Sequence, residues 1–146
     1  MRSSSSGPRK LSSARASMIT KVCHIAVADL WGGAEVHLVT LLLSLSKIQD
    51  LEISVVLFTE GRVAQELRAA GLEVVVIAEH EHNLFVILWK LVKHFRKHQF
   101  MVVHAHKPKD NFLGGVACRL AGVPYLVRTL HGSWEPFSGF QHFKIK

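Results

Sequence analysis

The sequence predicts an α/β fold: a Rossmann-like parallel sheet with helices on both faces. From Lys21 onward, short runs of Val, Ile and Leu alternate with longer segments of helical period, which is typical of a parallel sheet with crossover helices. The apolar runs lack strict polar alternation, so their strands are expected to be buried on both faces. The chain has 146 residues, 49% hydrophobic and 20% charged, which suits one globular domain and excludes a disordered or collagen-like chain.

Five strands and four helices are predicted in alternation. The strand cores are 22–28, 53–59, 74–77, 101–105 and 125–129. The helices are 35–46, 63–70, 84–97 and 111–120. Gly71 and Gly122 follow the second and fourth helices at positions suited to a left-handed cap, and Pro124 prevents further helix before the last strand.

The third helix is amphipathic. Its predicted core face consists of Leu84, Leu88, Leu91, Val92 and Phe95. Its predicted basic face consists of Lys90, Lys93, His94 and Lys97. Two interpretations fit this pattern: a core helix with a solvated face, or a helix attracted to an anionic membrane surface, to which Trp89 is also suited.

The net charge of +7 is concentrated at the N-terminus. Residues 1–17 hold seven serines, four cations and no acid, which leaves +3 for residues 18–146. We predict that residues 1–17 are a disordered extension upstream of a natural start at Met18, with an organelle transit peptide as the alternative. The remaining charge is too small, and too poor in interleaved aromatic residues, to predict nucleic-acid binding.

The cysteines and the apolar runs indicate a protein of a reducing compartment. Cys23 and Cys118 form no C-x-x-C pair and lie in apolar stretches, so we expect two small buried side chains. No apolar run approaches the roughly 18 residues that span a bilayer. We expect a cytoplasmic protein, with peripheral membrane contact through helix 84–97 as a further hypothesis.

Three loops are predicted to meet at one edge of the sheet. Ligands of open parallel sheets bind beyond the carboxyl ends of the strands, where the strand order reverses. If the first strand neighbours the fourth and the fourth neighbours the fifth, segments 29–35, 106–111 and 130–135 converge there. These segments are also the most polar and glycine-marked connections of the chain.

The first loop brings two glycines to a helix start. Gly32 and Gly33 leave room for a phosphate or a sugar to approach backbone N–H groups. The loop is neither G-x-G-x-x-G nor a P-loop, so a nicotinamide or nucleoside-triphosphate site is not predicted. Glu35 is interpreted as a residue that complements the helix dipole.

Histidines mark the other two loops. His104 and His106 share one face of the fourth strand, yet no third ligand at a persuasive spacing accompanies them, so no metal site is predicted. Asp110 or Asn111 is expected to cap the following helix. His131 and Gly132 leave the fifth strand, and this histidine either donates to a sugar hydroxyl or carbonyl or merely hydrogen-bonds the backbone.

Four segments in this order resemble the N-terminal domain of GT-B glycosyltransferases of family 4, over about residues 19–135. They are Gly32-Gly33-Ala34-Glu35, Val103-His104-Ala105-His106, Gly122-Val123-Pro124 and Thr129-Leu130-His131-Gly132. The resemblance implies one half of a GT-B fold and retaining hexosyl transfer from a nucleotide-diphosphate sugar to a glycan, a lipid-linked or a small-molecule acceptor. It implies same-face attack through an oxocarbenium-like state, without a metal or another cofactor.

The resemblance also implies roles for single residues. Gly32 and Gly33 would lie close to the donor diphosphate and the acceptor. His131, followed by Gly132, would orient the transferred sugar and stabilise the charge that develops as the glycosidic bond breaks. His106 would line the acceptor side of the cleft.

The second domain of this family, with its nucleotide pocket and its E-x7-E signature, has no counterpart in the sequence. We therefore expect an N-terminal fragment that is inactive alone. The alternative is a non-catalytic binding subunit of a two-chain transferase at a membrane surface, in which a second chain supplies the donor domain. A sugar-nucleotide epimerase shares the fold but usually lacks the Gly-Gly-Ala-Glu start.

Overall fold

The computed structural model describes residues 18–28 and 30–129 as alternating strands and helices. The strands are β1 (Thr20–Ala26), β2 (Leu51–Leu57), β3 (Glu73–Val76), β4 (Val102–Ala105) and β5 (Tyr125–Arg128). The helices are α1 (Gly33–Leu45), α2 (Arg62–Ala69), α3 (Leu84–His98) and α4 (Pro108–Ala121). The predicted extension 1–17 and the predicted site residues His131 and Gly132 lie outside the described residues.

All five strands are parallel, in the order β3-β2-β1-β4-β5. The first strand therefore neighbours the fourth, and the fourth neighbours the fifth, as predicted. Because the strands are parallel, their carboxyl ends lie at one edge of the sheet. The strand order reverses between β1 and β4, where a ligand crevice is expected in this kind of sheet.

Helices cover both faces of the sheet, which confirms the predicted fold class. On one face, α1 and α2 pack on β1, β2 and β3 through a cluster centred on Leu42, Val55 and Leu67. On the other face, α3 and α4 pack through Leu91, Phe95 and other buried side chains. Helix α4 packs so closely on the sheet that a Cβ added at Gly114 would lie only 2.4 Å from Cδ1 of Ile25 on β1.

Both cysteines are fully buried and free, as predicted. Burial raises the pKa of the Cys118 thiol to about 12 and raises that of Cys23 well above its ordinary value.

In residues 18–28 and 30–129, no helix combines the length and the apolar character needed to cross a membrane.

Two glycines end helices in the left-handed conformation, as predicted. Gly71 has φ +83° and Gly122 has φ +76°. The N–H of Leu72 bonds the carbonyl of Leu67, and the N–H of Val123 bonds that of Cys118, which satisfies carbonyls at the two helix ends. A third left-handed residue, Gln99 (φ 54°), ends α3 and was not predicted.

The prediction that helix 4 begins at residue 111 was wrong. It begins at Pro108, whose fixed φ and missing N–H suit the first helical turn, and Lys107 is the N-cap residue.

Strand β1 ends at Ala26, two residues earlier than predicted. The next two N–H groups, those of Val27 and Ala28, donate to the side chains of Asp110 and Thr59 instead of a neighbouring strand.

The predicted core face of helix 3 is largely confirmed. Leu88 and Val92 are partly buried against the core, and only Leu84 and the omitted Ile87 depart from the prediction. Ile87, Leu91 and Phe95 are the buried residues of α3, whereas Leu84 is 50% exposed. Phe85 and Trp89 are more exposed still. The helix therefore has a typical i, i+4, i+8 core stripe and, on its outer side, an unburied aromatic pair.

His94 should make folding stability sensitive to acid. It lies on α3, with Nε2 3.4 Å from Oγ of Ser54 on β2. Burial lowers its pKa from 6.5 to about 4, helped by the charges of His98 and Lys97. His98 also faces Glu73 of β3, at 4.0 Å. Between pH 6.5 and 4 the unfolded chain binds more protons than the folded chain, so stability falls as the pH falls.

We predict that His94→Gln reduces this loss of stability. The measurement is the free energy of unfolding in urea, at several values between neutral pH and about pH 4.5. His80→Gln, in an exposed turn, is the matched control and should keep the parental slope. An unchanged slope in His94→Gln would contradict the assignment.

Candidate functional site

Residues from three chain segments meet at the carboxyl edge of β1, β4 and β5. The loop after β1 is linked to the loop after β4 by an ion pair between Glu35 and Lys107. Strand β4 is linked to the end of β5 by Nε2 of His104 and Oγ1 of Thr129, 2.7 Å apart. The structure therefore brings together the first and second predicted loops, while the third loop begins where the described residues end.

The glycine pair forms the turn into α1. Gly32 is the N-cap residue and Gly33 the first residue of the helix. The N–H of Gly32 donates to Oε2 of Glu35 at 3.2 Å, which is the acidic half of a capping box. Apart from its chain neighbours and its own helix, no described residue lies within 4 Å of a Cβ added at Gly33. The space beside Gly33 is therefore not used by the packing of the described residues.

Glu35 does more than complement the helix dipole. Its side chain is buried, with one carboxylate oxygen on Gly32 N–H and the other 3.2 Å from Nζ of Lys107. Burial alone would raise the pKa of this carboxyl. Hydrogen bonds from its own N–H, from Lys107 and from Gly32, together with the charge of Lys107, outweigh that effect and lower the pKa below its ordinary value of 4.5.

Asp110 provides a second link between the same two loops. It lies in the first turn of α4 with no exposed surface, and its Oδ2 accepts the N–H of Val27 at 3.2 Å. The predicted helix-capping carboxylate therefore bonds the chain where it leaves β1. Lys107 and Asp110 thus reach across the β1–β4 crevice from the β4 side, to Glu35 beside the glycine turn and to the N–H of Val27.

Next to this crevice lies a cluster of three imidazoles. His24 of β1, His104 of β4 and His106 each offer one nitrogen, and these nitrogens lie within 4.8 Å of one another. Nδ1 of His24 is 3.1 Å from Nε2 of His106. His24 and His106 are buried, whereas His104 is only partly buried.

Sequence reasoning missed His24. The signal is the parallel register, in which His24 is the Cα partner of His104. Burial, followed by the charges of His104 and His106, lowers the pKa of His24 to about 3. His24 is therefore neutral near pH 7, and one proton is shared along its contact with His106.

The first loop also carries an aromatic residue, Trp31. It is 40% exposed, and the guanidinium of Arg62 lies 4.0 Å from its ring centroid. Arg62 is the first residue of α2, so this cation–π contact joins the glycine turn to the neighbouring helix.

We predict that Glu35 and Lys107 stabilise the fold as a pair. Glu35→Gln keeps an acceptor for Gly32 N–H and removes the charge, while Lys107→Met keeps the apolar stem. A double-mutant cycle, measured by urea unfolding, should give a coupling energy of about 1 kcal/mol, because the carboxylate is buried. The exposed pair Arg62 and Glu66, at 3.3 Å, is the control and should give about 0.3–0.5 kcal/mol. A coupling energy between Glu35 and Lys107 no larger than that of the control pair would contradict this role.

A family profile matches most of the chain. The profile described as Glycosyltransferase Family 4 matches residues 31–146. A shorter segment of 47 residues is 47% identical to the Escherichia coli UDP-Gal:alpha-D-GlcNAc-diphosphoundecaprenol alpha-1,3-galactosyltransferase, covering 32% of this chain and 11% of that enzyme.

Solved structures share the fold. Anabaena Alr3699/HepE, crystallised with UDP and glucose, matches 82% of this chain and 32% of its own, with a TM-score of 0.63 and 23% identity. A glycosyltransferase of Rickettsia africae gives a TM-score of 0.62 at 18% identity, over 79% of this chain and 30% of that one. Acinetobacter baumannii MurG gives 0.56 at 17% identity, over 74% and 34%. The chain thus spans about a third of each of these structures.

Proposed function

This chain belongs to glycosyltransferase family 4, and from that premise we propose that it is the acceptor-side domain of a hexosyltransferase. The donor is a nucleotide-diphosphate sugar, and the acceptor is a glycan, a lipid-linked or a small-molecule acceptor. Transfer retains the configuration of the sugar and needs no metal. The donor class is supported by the UDP and glucose in the Anabaena structure.

The observation that carries the proposal is the fixed, open glycine turn at the strand-order reversal. Glu35 and Lys107 hold Gly32 in place, and the space beside Gly33 is left open by the described residues. A diphosphate or a sugar hydroxyl can approach a backbone there more closely than any side chain would permit. The carboxylate of Glu35 does not oppose an anionic ligand with a full charge, since Lys107 offsets it.

His106 and His131 complete the proposed site. His106 directly precedes Lys107, at the carboxyl end of β4, and lines the acceptor side in this proposal. His131 and Gly132 follow β5 by a few residues and contact the transferred sugar. His131 stabilises the charge that develops at the sugar as the bond to the diphosphate breaks.

The nucleotide-binding half is proposed to lie outside this chain's described domain. The chain spans about a third of the solved glycosyltransferases it matches. A second domain, or a second chain in the two-chain alternative, supplies the pocket for the nucleotide. On this proposal the 146-residue chain alone does not transfer sugar.

We predict that Gly33→Val and His131→Ala each lower kcat/KM for transfer by about 100-fold in the enzyme completed by its donor domain. The valine occupies space that the described packing leaves open, so the loss should come without a loss of melting temperature. Transfer is measured with radiolabelled nucleotide sugar.

Gly115→Ala on α4, where the added Cβ makes an ordinary contact of 3.6 Å with Leu126, and His98→Ala at the opposite edge of the sheet are controls and should retain near-parental transfer. Near-parental rates in both Gly33→Val and His131→Ala would contradict the site. A completed enzyme that hydrolyses or transfers no nucleotide sugar would contradict the function.

We also propose that α3 contacts an anionic membrane surface. Phe85 is 81% exposed and Trp89 60% exposed on the outer side of the helix. Nζ of Lys93 lies 5.1 Å from the Trp89 ring centroid, so a cation borders the aromatic pair. Aromatic rings beside lysines suit the interface of an anionic bilayer, where a lipid-linked acceptor would be found.

We predict that the chain co-sediments with vesicles containing anionic lipid at low salt and is released as salt screens the charges. Replacing both Phe85 and Trp89 by Ser should abolish binding. Phe112→Ser is the matched control, because Phe112 is a 68% exposed aromatic residue on α4. Failure of the parental chain to bind anionic vesicles, or equal loss in the control, would contradict the contact.

A further inference from the structure

We propose that His24, His104 and His106 form a binding site for a divalent transition-metal ion of the zinc type. Glycosyl transfer needs no metal in the function proposed above, and the two proposals share only His106. The metal site rests on three imidazoles that converge from two neighbouring strands and on the spacing of their nitrogens.

The spacing is close to that of zinc ligands. With Zn–N bonds of about 2.0–2.1 Å and tetrahedral angles, two ligand nitrogens lie about 3.3 Å apart. Nδ1 of His24 and Nε2 of His106 are 3.1 Å apart. These two nitrogens share one proton, and when an ion binds, this proton moves to the other nitrogen of the ring that carries it, so both rings stay neutral and both facing lone pairs can bind the ion. One ring nitrogen of His104 lies within 4.8 Å of the other two ligand nitrogens, so a small shift of this ring would bring it to the spacing of a tetrahedral ligand set.

The donor set also suits a borderline-soft ion. All three ligands are imidazoles, which favour zinc, copper and nickel over magnesium and calcium. The ring of His24 is neutral near pH 7, which is the ligand form of histidine. Nε2 of His24 is buried without a hydrogen-bond partner among the described residues, so it can carry the proton of the neutral ring while Nδ1 binds the ion.

Thr129 orients the third ligand. Its Oγ1 lies 2.7 Å from Nε2 of His104. Histidines that bind metals usually donate their other ring N–H to a protein oxygen, which fixes the tautomer. When Nε2 carries the proton to Thr129, Nδ1 of His104 keeps the lone pair for the ion.

The cluster is accessible from one side. His104 is only partly buried, and it shares a sheet face with Val127, its register partner on β5, which is 46% exposed. The apolar cluster under α1 and α2 includes no described residue of β4 or β5. An ion can therefore enter from the β5 side, and three protein ligands leave a fourth position for water or another group.

The bound ion would join the two strands that border the crevice. His24 belongs to β1, and His106 leads directly into Lys107, which holds Glu35 and the glycine turn. A metal bridge from β1 to the start of this loop would therefore stabilise the folded chain, because the assembled site binds the ion more tightly than the separated histidines of the unfolded chain do.

The test is isothermal titration of the full 146-residue chain with Zn²⁺. Other histidines can also bind zinc, notably His80 with His82 and the α3 pair His94 and His98, whose rings are 4.4 Å apart. The background chain therefore carries His80→Gln, His82→Gln and His98→Gln. We expect it to bind one equivalent of Zn²⁺ with a Kd of about 1 μM or below, and to melt at a higher temperature with Zn²⁺ than with EDTA.

Three further substitutions in this background identify the ligands. His106→Gln keeps an amide opposite Nδ1 of His24 and should weaken binding by at least about 100-fold, as should His104→Gln on the partly buried ring. Thr129→Val should cost about 10-fold, the effect of losing an outer-shell hydrogen bond. Circular dichroism and melting without metal establish that each variant is folded. If neither histidine variant folds, the zinc affinity of Thr129→Val tests the proposal instead.

The proposal is overturned if the background chain binds no zinc in this range, or if the folded variants bind it as the background does. Neither result bears on the proposed transferase, because no donor or acceptor is present in the titration. Conversely, a failed transfer assay leaves the titration unaffected.

Discussion

Parallel pairing of β1 with β4 is the contact on which the candidate site depends. It places the only reversal of strand order among the described strands between two chain segments that are about 80 residues apart in sequence. The loop after β1 and the loop after β4 then leave the sheet side by side. The imidazoles of His24 and His104 lie next to each other for the same reason. A shift of β1 against β4 by one residue would place His24 and His104 on opposite faces of the sheet.

Charged side chains keep the two loops in place after the strands end. Glu35 and Lys107 form one bridge and Asp110 with the N–H of Val27 forms the other, and both carboxylates are buried. Buried carboxylates are stable only with such partners. The described part of the crevice is therefore held by polar contacts, whereas the layers beneath it are held by apolar packing.

The sequence was sufficient for the architecture because the signals for it are local. Apolar runs of strand length, helical periods and the caps at Gly71 and Gly122 each act within a few residues, and the strand order then follows from the usual topology of such sheets. Long-range pairings were not accessible in this way. The third histidine, His24, was missed because its relation to His104 exists only in the register, and the partner of Glu35 was missed because Lys107 is 72 residues away.

Local rules also failed where side chains replaced backbone partners. Helix 4 begins before the predicted cap because Pro108 opens the first turn and Asp110 bonds the end of β1. On α3 the predicted core face included Leu84 and omitted Ile87, because periodicity alone does not show which apolar residues of the first turn the sheet covers. Tertiary packing made that choice.

The two buried thiols can report local unfolding of one face of the sheet. Only the thiolate reacts readily with alkylating reagents, and burial keeps both Cys23 and Cys118 protonated. Both side chains lie in the apolar layer beneath α3 and α4. Alkylation of the native protein would thus report the detachment of these two helices, while a separate loosening of α1 and α2 would pass unseen.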